Sequence, residues 1–189
     1  MQFVKNARVL AHRFWNQLSN QGPIMTAWAG VDTIVRNVTG HPIRRLSEIT
    51  PHIFVGGQPA LTFWQELENW GVGGVVNMRG EYDYSTEVDP LGLPLDFLHL
   101  PTVDTNAPAL EHLQAGVAFI HEHVENDEGV YIHCWEGLGR GPTMAAAYLV
   151  STGLSPESAW DKIREVRPFI RPTEVQQAQL QKFAQQYAG

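Results

Sequence analysis

The stretch that most limits what this chain can become is residues 129–151, which read GVYIHC, then WEGLGRGPT, then MAAAYLVS. The first part is short, apolar and rich in β-formers, as expected of a strand buried on both faces. The last part is an apolar run bounded by a proline, which reads as a buried helix starting at Pro142. A strand that passes through glycines straight into a helix, with both partners buried, belongs to an α/β sheet covered by helices.

The flanking sequence repeats that alternation from about residue 43. HIFVGG at 52–57 reads as a strand ending in a glycine turn, followed by a helix from about Pro59 to Trp70 that Gly71 stops. GVVNMR at 74–79 is a second strand, and the polar GEYDYSTEVDPLGLP after it is a loop. DFLHLP at 96–101 is a third strand that Pro101 should end. A helix is predicted from about Pro108 to Asn126, with Leu113, Val117, Ile120 and Val124 on one face. Two further helices are expected. One is capped by Ser155 with Pro156 at its first position, and the other turns Leu180, Phe183, Ala184 and Tyr187 inward. The predicted architecture is a central, mostly parallel twisted sheet of four to five strands flanked by helices, over residues 43–189, behind a basic helical extension at 1–42.

Charge divides the chain the same way. Residues 1–47 hold six basic side chains against the single acid Asp32, although the net charge of the whole is −7. Phe3, Ala7, Leu10, Phe14 and Leu18 fall at helical spacing among Lys5, Arg8 and Arg13. Such a helix packs its apolar stripe on the main domain, the reading most amphipathic helices take, or lies on anionic lipid through residues 1–20, or serves as a mitochondrial targeting segment. There is no apolar run long enough to span a bilayer, and the lone cysteine allows no internal disulfide, which favours a reducing, cytoplasmic setting with membrane contact peripheral at most. His121 and His123 lie two apart and point to different helix faces, so no metal site is expected there. The glycines of GVGGVV follow a helix rather than a strand, against a dinucleotide fingerprint, and nothing points to nucleic acid.

The chemistry concentrates where strand meets helix. A loop leaving a strand and entering a helix turns successive N–H groups inward, and the helix N-terminus adds positive potential. Gly137 and Gly139 supply the positive φ values such a nest needs. The resulting anion cradle spans Trp135, Glu136, Gly137, Leu138 and Gly139, and its field favours a thiolate on Cys134. Arg140 at its far end is placed to grip two phosphate oxygens with its planar fork. Transfer of a phosphoryl group also needs a proton for the leaving oxygen. Asp104, in the loop after the third strand, is the candidate donor. Asp96 should point away, and Glu111 should support the first turn of its helix. The acidic loop from Glu81 to Asp89 reads as solvated surface more than as a substrate reader. The competing reading of Cys134 is a small buried hydrophobe beside a glycine turn.

HCWEGLGRGPTMAAAYLV after VYI, with LPTVDTNAP upstream, resembles the cysteine-dependent dual-specificity phosphatases of the protein tyrosine phosphatase superfamily, over roughly residues 48–187. GEYDY at 80–84, TVDTNAPALEHLQAGVAFI and IREVRPFIRP, with Arg171 and Pro172, look similar to the mitochondrial-type phosphatidylglycerophosphate phosphatases within that family. The resemblance implies that Cys134 attacks phosphorus, that the loop amides and Arg140 hold its oxygens, that Asp104 protonates the leaving group, and that His133 orients the loop. It implies no metal or organic cofactor. The partner it implies is a phosphorylated lipid headgroup or a phosphoprotein. The sequence departs from the family at Gly141, where a serine or threonine usually follows the arginine. Thr143 offers a hydroxyl two residues on. Glu136 adds a carboxylate that would oppose an anion unless it points outward or pairs with a base. A phosphate-binding module with impaired chemistry is the alternative.

Overall fold

A computed structural model describes residues 46–59, 61–83 and 92–187, together with helical positions Val31, Ile34, Val35 and Val38. The expected helix over residues 3–18 and the boundary at 42/43 lie outside the described residues. Five strands form one sheet in the order β1-β2-β5-β3-β4: β1 Ser47–Thr50, β2 Ile53–Gly56, β3 Val72–Arg79, β4 Asp96–Thr102 and β5 Gly129–His133. Only β1 runs antiparallel to its neighbour. The predicted sheet is therefore found, with 129–133 at its centre. The hairpin strand β1 has no counterpart in the sequence reading, because SEIT is too short and too polar to register as a strand.

Burial follows the period of two that a strand imposes. Val130 and Ile132 of β5, Ile53 and Val55 of β2, and Val76 and Met78 of β3 face one side. There they meet α2 (Leu110–Glu125), α3 (Arg140–Ser151), α4 (Pro156–Val166) and α5 (Glu174–Tyr187). Tyr131, Phe54 and Val75 face the other side and pack on Phe63, Trp64 and Leu67 of α1 (Leu61–Glu68). Helix α3 is the deepest element, buried from Arg140 to Val150. Gly116 lets α2 close on it: a Cβ there would sit 2.4 Å from Met144 Sδ and 3.0 Å from Leu100 Cδ1.

Three boundaries differ from expectation for identifiable reasons. Strand β4 continues through Pro101 to Thr102, because it is an edge strand where a missing N–H on the outer side costs no ladder bond. Helix α3 begins at Arg140 rather than Pro142, since the Gly139 carbonyl already accepts from Thr143 N at 2.9 Å. The proline then occupies the first turn, where its absent N–H would have had no helical partner. Tyr187, expected inside, is 49% exposed at the frayed end of α5, whereas Leu180 and Phe183 are buried as expected. Ser155 caps α4 with its hydroxyl on Ser158 N, as its sequence predicts.

Phe183 carries α5 onto this core at 1% exposure. Phe183→Ala should lower stability by about 3–5 kcal/mol, measured by urea unfolding; a loss below about 1 kcal/mol would mean that α5 is not part of the cooperative core.

Candidate active site

The loop from Cys134 to Gly139 leaves the central strand and enters α3. Turning its amides inward obliges its carbonyls to face outward into protein, where each needs a donor. Each has one. Trp135 O accepts from Gln58 N at 3.0 Å, Leu138 O from Arg171 N at 2.7 Å, and Gly139 O from Thr143 N at 2.9 Å. Glu136 O and Gly137 O accept from Arg167, through Nη2 at 3.2 Å and Nε at 2.8 Å. Arg167 is fully buried, with Nη1 on Ser47 Oγ at 3.1 Å and its guanidinium over the Phe169 ring. On the inner side, Gly137 N donates to Cys134 Sγ at 3.2 Å.

The two glycines serve different needs. Gly137 has φ +69 and packs so tightly that a Cβ would meet Gly56 O and Arg167 Nη2. Gly139 was expected to need a positive φ, but its φ is −126. It is small for lack of room, since a Cβ there would lie 2.8 Å from Gln176 Oε1.

Arg140, 2% exposed, opens α3 and draws three segments together. Nη1 donates to Glu81 Oε2 and to Thr102 O, each at 2.9 Å, and Nη2 lies 3.0 Å from Asp104 Oδ1. Burial opposes its charge, but the negative groups at Cys134, Asp104 and Glu81 outweigh that and raise its pKa. Its Nε is buried with no hydrogen-bond partner among the described residues. Asp104 is set by its own turn, with Oδ1 accepting from Thr105 N at 3.1 Å. Cys134, Arg140 and Asp104 thus line one cleft with Trp135, Glu136, Leu138, Gly139, Arg171 and Gln176.

Glu81 corrects the reading of the acidic loop as solvated surface. Its side chain bonds Arg140 and also Arg79 Nε at 3.1 Å. Burial alone would raise its pKa; the hydrogen bond and charge of Arg140, with the charge of Arg79, overcome that and hold it at about 2. The turn that delivers it is built by Asn77, whose side chain accepts from Arg79 N and donates to Tyr82 O. Gly80 lies against the Thr102 carbonyl, where a Cβ would stand 2.9 Å away. Arg79 itself donates to Gln58 Oε1 and stacks on Trp135, 4.6 Å from the ring centroid. Residues 84–91, the rest of that loop, lie outside the described residues.

The remaining predicted residues divide by what they touch. His133 is fully buried, stacked on Tyr131 with an edge toward Trp64, and its Nδ1 lies 3.4 Å from Cys134 O. Burial, reinforced by the charges of Arg79 and Arg140 despite that contact, pushes its pKa down to about 3, so it is neutral at physiological pH. Thr143 Oγ1 donates to Gly139 O at 2.9 Å, which commits its proton to the helix's first turn. A Cβ on Gly141 would meet nothing closer than 3.6 Å, so a serine there has room. Asp96 is exposed at the far end of the sheet, and Glu111 lies in the first turn of α2, as expected. Arg167 and Gln176 were not singled out in the sequence, and Glu81 was weighed only as part of its loop. GEYDY and IREVRPFIRP were the cues for Glu81 and Arg167, while Gln176 sits in a stretch that reads as helix surface.

A family model described as "Polymorphic toxin system, DSP-PTPase phosphatase" matches residues 54–154. The human phosphatidylglycerophosphatase and protein-tyrosine phosphatase 1 is 35% identical over 73% of this chain and 72% of its own length. The Arabidopsis thaliana phosphatidylglycerophosphate phosphatase PTPMT1 is 30% identical over 74% of this chain and 42% of that protein. The crystal structure of PTPMT1 in complex with PI(5)P superposes with a TM-score of 0.69 at 31% identity, covering 74% of this chain and 94% of that one.

Because the Glu81 carboxyl is held at about 2 against an ordinary 4.5, its stabilisation is complete above about pH 4.5 and is lost as pH falls toward 2. Glu81→Gln should therefore cost about 2–3 kcal/mol at neutral pH, with the gap to wild type narrowing between pH 5 and 3 in urea titrations. A gap that stays constant with pH would show that the carboxylate's charge is not what stabilises the site.

Proposed function

The chain belongs to the dual-specificity family of cysteine-dependent phosphatases, and we propose that it hydrolyses phosphomonoesters through a cysteinyl-phosphate intermediate. Cys134 is the nucleophile, Arg140 the oxyanion clamp and Asp104 the proton donor. The observation that carries this reading is the pairing of Gly137 N–H on Cys134 Sγ with a buried Arg140 whose Nε has no protein partner among the described residues. A buried cation edge beside a sulfur inside an amide cradle is suited to the oxygens of a phosphoryl group.

The steps follow from that arrangement. The Sγ–P bond forms in line as the P–O bond to the leaving group breaks, and the departing oxygen takes the proton of the Asp104 carboxyl. The arriving phosphate competes with Asp104 for Arg140 Nη2, which turns the carboxyl toward the leaving oxygen. Asp104, now a carboxylate, then takes a proton from water as its oxygen attacks phosphorus. The S–P bond breaks, releasing orthophosphate and restoring the thiolate. Glu81 holds Arg140 mainly through Nη1, with a longer contact to Nη2, and keeps the guanidinium fixed while its other contacts change.

For substrate, we favour a phosphomonoester on a lipid headgroup, with phosphoprotein second. The relatives named for phosphatidylglycerophosphate and the structure holding PI(5)P support that order. A lipid substrate would give the basic segment at residues 1–20 a role in peripheral membrane contact, and no helix among the described residues is long and apolar enough to cross a membrane. Deleting residues 1–40 should then weaken sedimentation with anionic liposomes while sparing hydrolysis of a soluble aryl phosphate.

The second step is where this chain departs. No hydroxyl follows Arg140, and the Thr143 proton is bonded to Gly139 O. That favours slow breakdown of the phosphoenzyme, which in the limit is the phosphate-binding module with impaired turnover.

Cys134→Ser should abolish phosphate release, and Asp104→Asn should lower it by about 10²–10³. Equal release by wild type and Cys134→Ser would end the enzymatic reading. Phosphatidylglycerophosphate, phosphoinositides and a phosphotyrosine peptide compared under one condition should rank the lipids first. Rapid-quench kinetics should show a burst of leaving-group release in wild type, reduced in Gly141→Ser with a faster steady state. Linear release from the first turnover, with no gain from the serine, would show that the second step is not limiting.

A further inference from the structure

The first turns of α5, with Thr173 just ahead of them, reach across to the loop that carries Asp104. Thr173 Oγ1 donates to Thr105 O at 3.0 Å, Gln176 Nε2 to Asn106 O at 2.9 Å, and Gln179 Nε2 to Pro108 O at 2.9 Å. Gln176 is 1% exposed, an unusual setting for a primary amide, and both ends of that amide are in use. Its Oε1 accepts from Thr173 N at 3.0 Å. The same amide rests on the phosphate cradle, since it is the group that a Cβ on Gly139 would strike. One side chain therefore touches both the loop that holds the anion and the loop that holds the acid.

The acid loop needs such a hold. Thr105, next to Asp104, has φ +66, a left-handed conformation that a β-branched residue rarely adopts. This backbone directs Thr105 N onto Asp104 Oδ1 and presents Thr105 O to Thr173. A strained residue keeps its conformation only where its surroundings over-determine it. Here the surroundings are the Thr173 hydroxyl and the Gln176 amide, one carbonyl apart.

We propose that Thr173 and Gln176 are positioning residues for the proton transfer: together they latch the Asp104 loop to the phosphate cradle, so that its backbone is already in place when the arriving phosphate frees the carboxyl to turn toward the leaving oxygen. This rests on the assignment of Asp104 as general acid. Both border the cleft, but the Thr173 hydroxyl and the Gln176 amide N–H are spent on the backbone carbonyls of residues 105 and 106, and they act through that backbone. Loss of the latch therefore costs most where protonation matters most, namely with a basic leaving oxygen.

The test is kcat/KM for a series of phosphate monoesters running from nitrophenyl through phenyl to alkyl. That parameter ends at phosphoenzyme formation and is blind to slow hydrolysis afterwards. Gln176→Leu and Thr173→Val should lose about two- to threefold with a nitrophenolate and about ten- to a hundredfold with an alkoxide, a milder form of the dependence expected of Asp104→Asn. Thr173→Ser, which keeps the hydroxyl, should restore the wild-type slope. Gln176→Leu added to Asp104→Asn should cost little more than Asp104→Asn alone, because both remove the same proton transfer. Inhibition by inorganic phosphate, unchanged in Thr173→Val, reports that the cradle is folded. If Asp104→Asn steepens the leaving-group dependence while the latch variants lower all substrates equally or none, the latch is overturned and the acid assignment stands. If Asp104→Asn itself leaves the slope unchanged, the acid assignment fails and takes the latch with it.

Discussion

A loop whose amides all face one way must send its carbonyls the other way, and in a buried loop every one of those carbonyls needs a donor. Much of the architecture around residues 135–139 answers that demand. The turn after β2 supplies Gln58 N, the C-cap of α4 supplies the Arg167 guanidinium, the segment before α5 supplies Arg171 N, and the first turn of α3 supplies Thr143 N. Four separate parts of the chain thus converge on one short loop. Without them the amides of the loop would relax toward water, and the Gly137 N–H that meets the Cys134 sulfur would lose its aim.

The second constraint is charge. Arg79, Arg140 and Arg167 are nearly or wholly buried within one region, a costly arrangement unless each cation is matched. Arg167 is matched by carbonyl dipoles and an aromatic face. Arg79 and Arg140 share Glu81, and Arg140 also holds Asp104. Sharing one carboxylate leaves the site poised for a further anion, while Asp104 is the partner that can be exchanged. The neutral His133 beneath the loop fits the same logic, since a proton on it would add a fourth buried positive charge close to Arg79 and Arg140.

Much of this could be read from the sequence, and the division is physical. GVYIHC announced a buried strand through its composition, and Ser155-Pro156 announced a helix start, because both depend on local preferences. That Cys134, Arg140 and Asp104 share one cleft was legible because the strand-loop-helix order brings the first two together and places Asp104 at the same end of the sheet. Glu81 was read as part of a surface loop, and Arg167 and Gln176 were not singled out. Their roles depend on partners 59, 30 and 70 residues away, and nothing in the neighbouring letters sets a buried glutamine apart from one on a helix surface. Gly139 shows a subtler miss. A glycine was rightly expected in the loop, but the reason was space against a distant amide rather than backbone torsion.

Arg167 also ties the cradle to the edge of the sheet, since the guanidinium that holds the Gly137 carbonyl holds Ser47 at the first residue of β1. The chain enters the described domain at that strand, so the entry strand and the anion cradle are joined in mechanical series through one rigid, planar group. A displacement of Ser47 therefore has two routes to the loop, one through the pairing of β1 with β2 and one through the Arg167 guanidinium. An attachment made upstream, to a surface or to another molecule, would bear on the backbone of residues 136 and 137 through that one side chain.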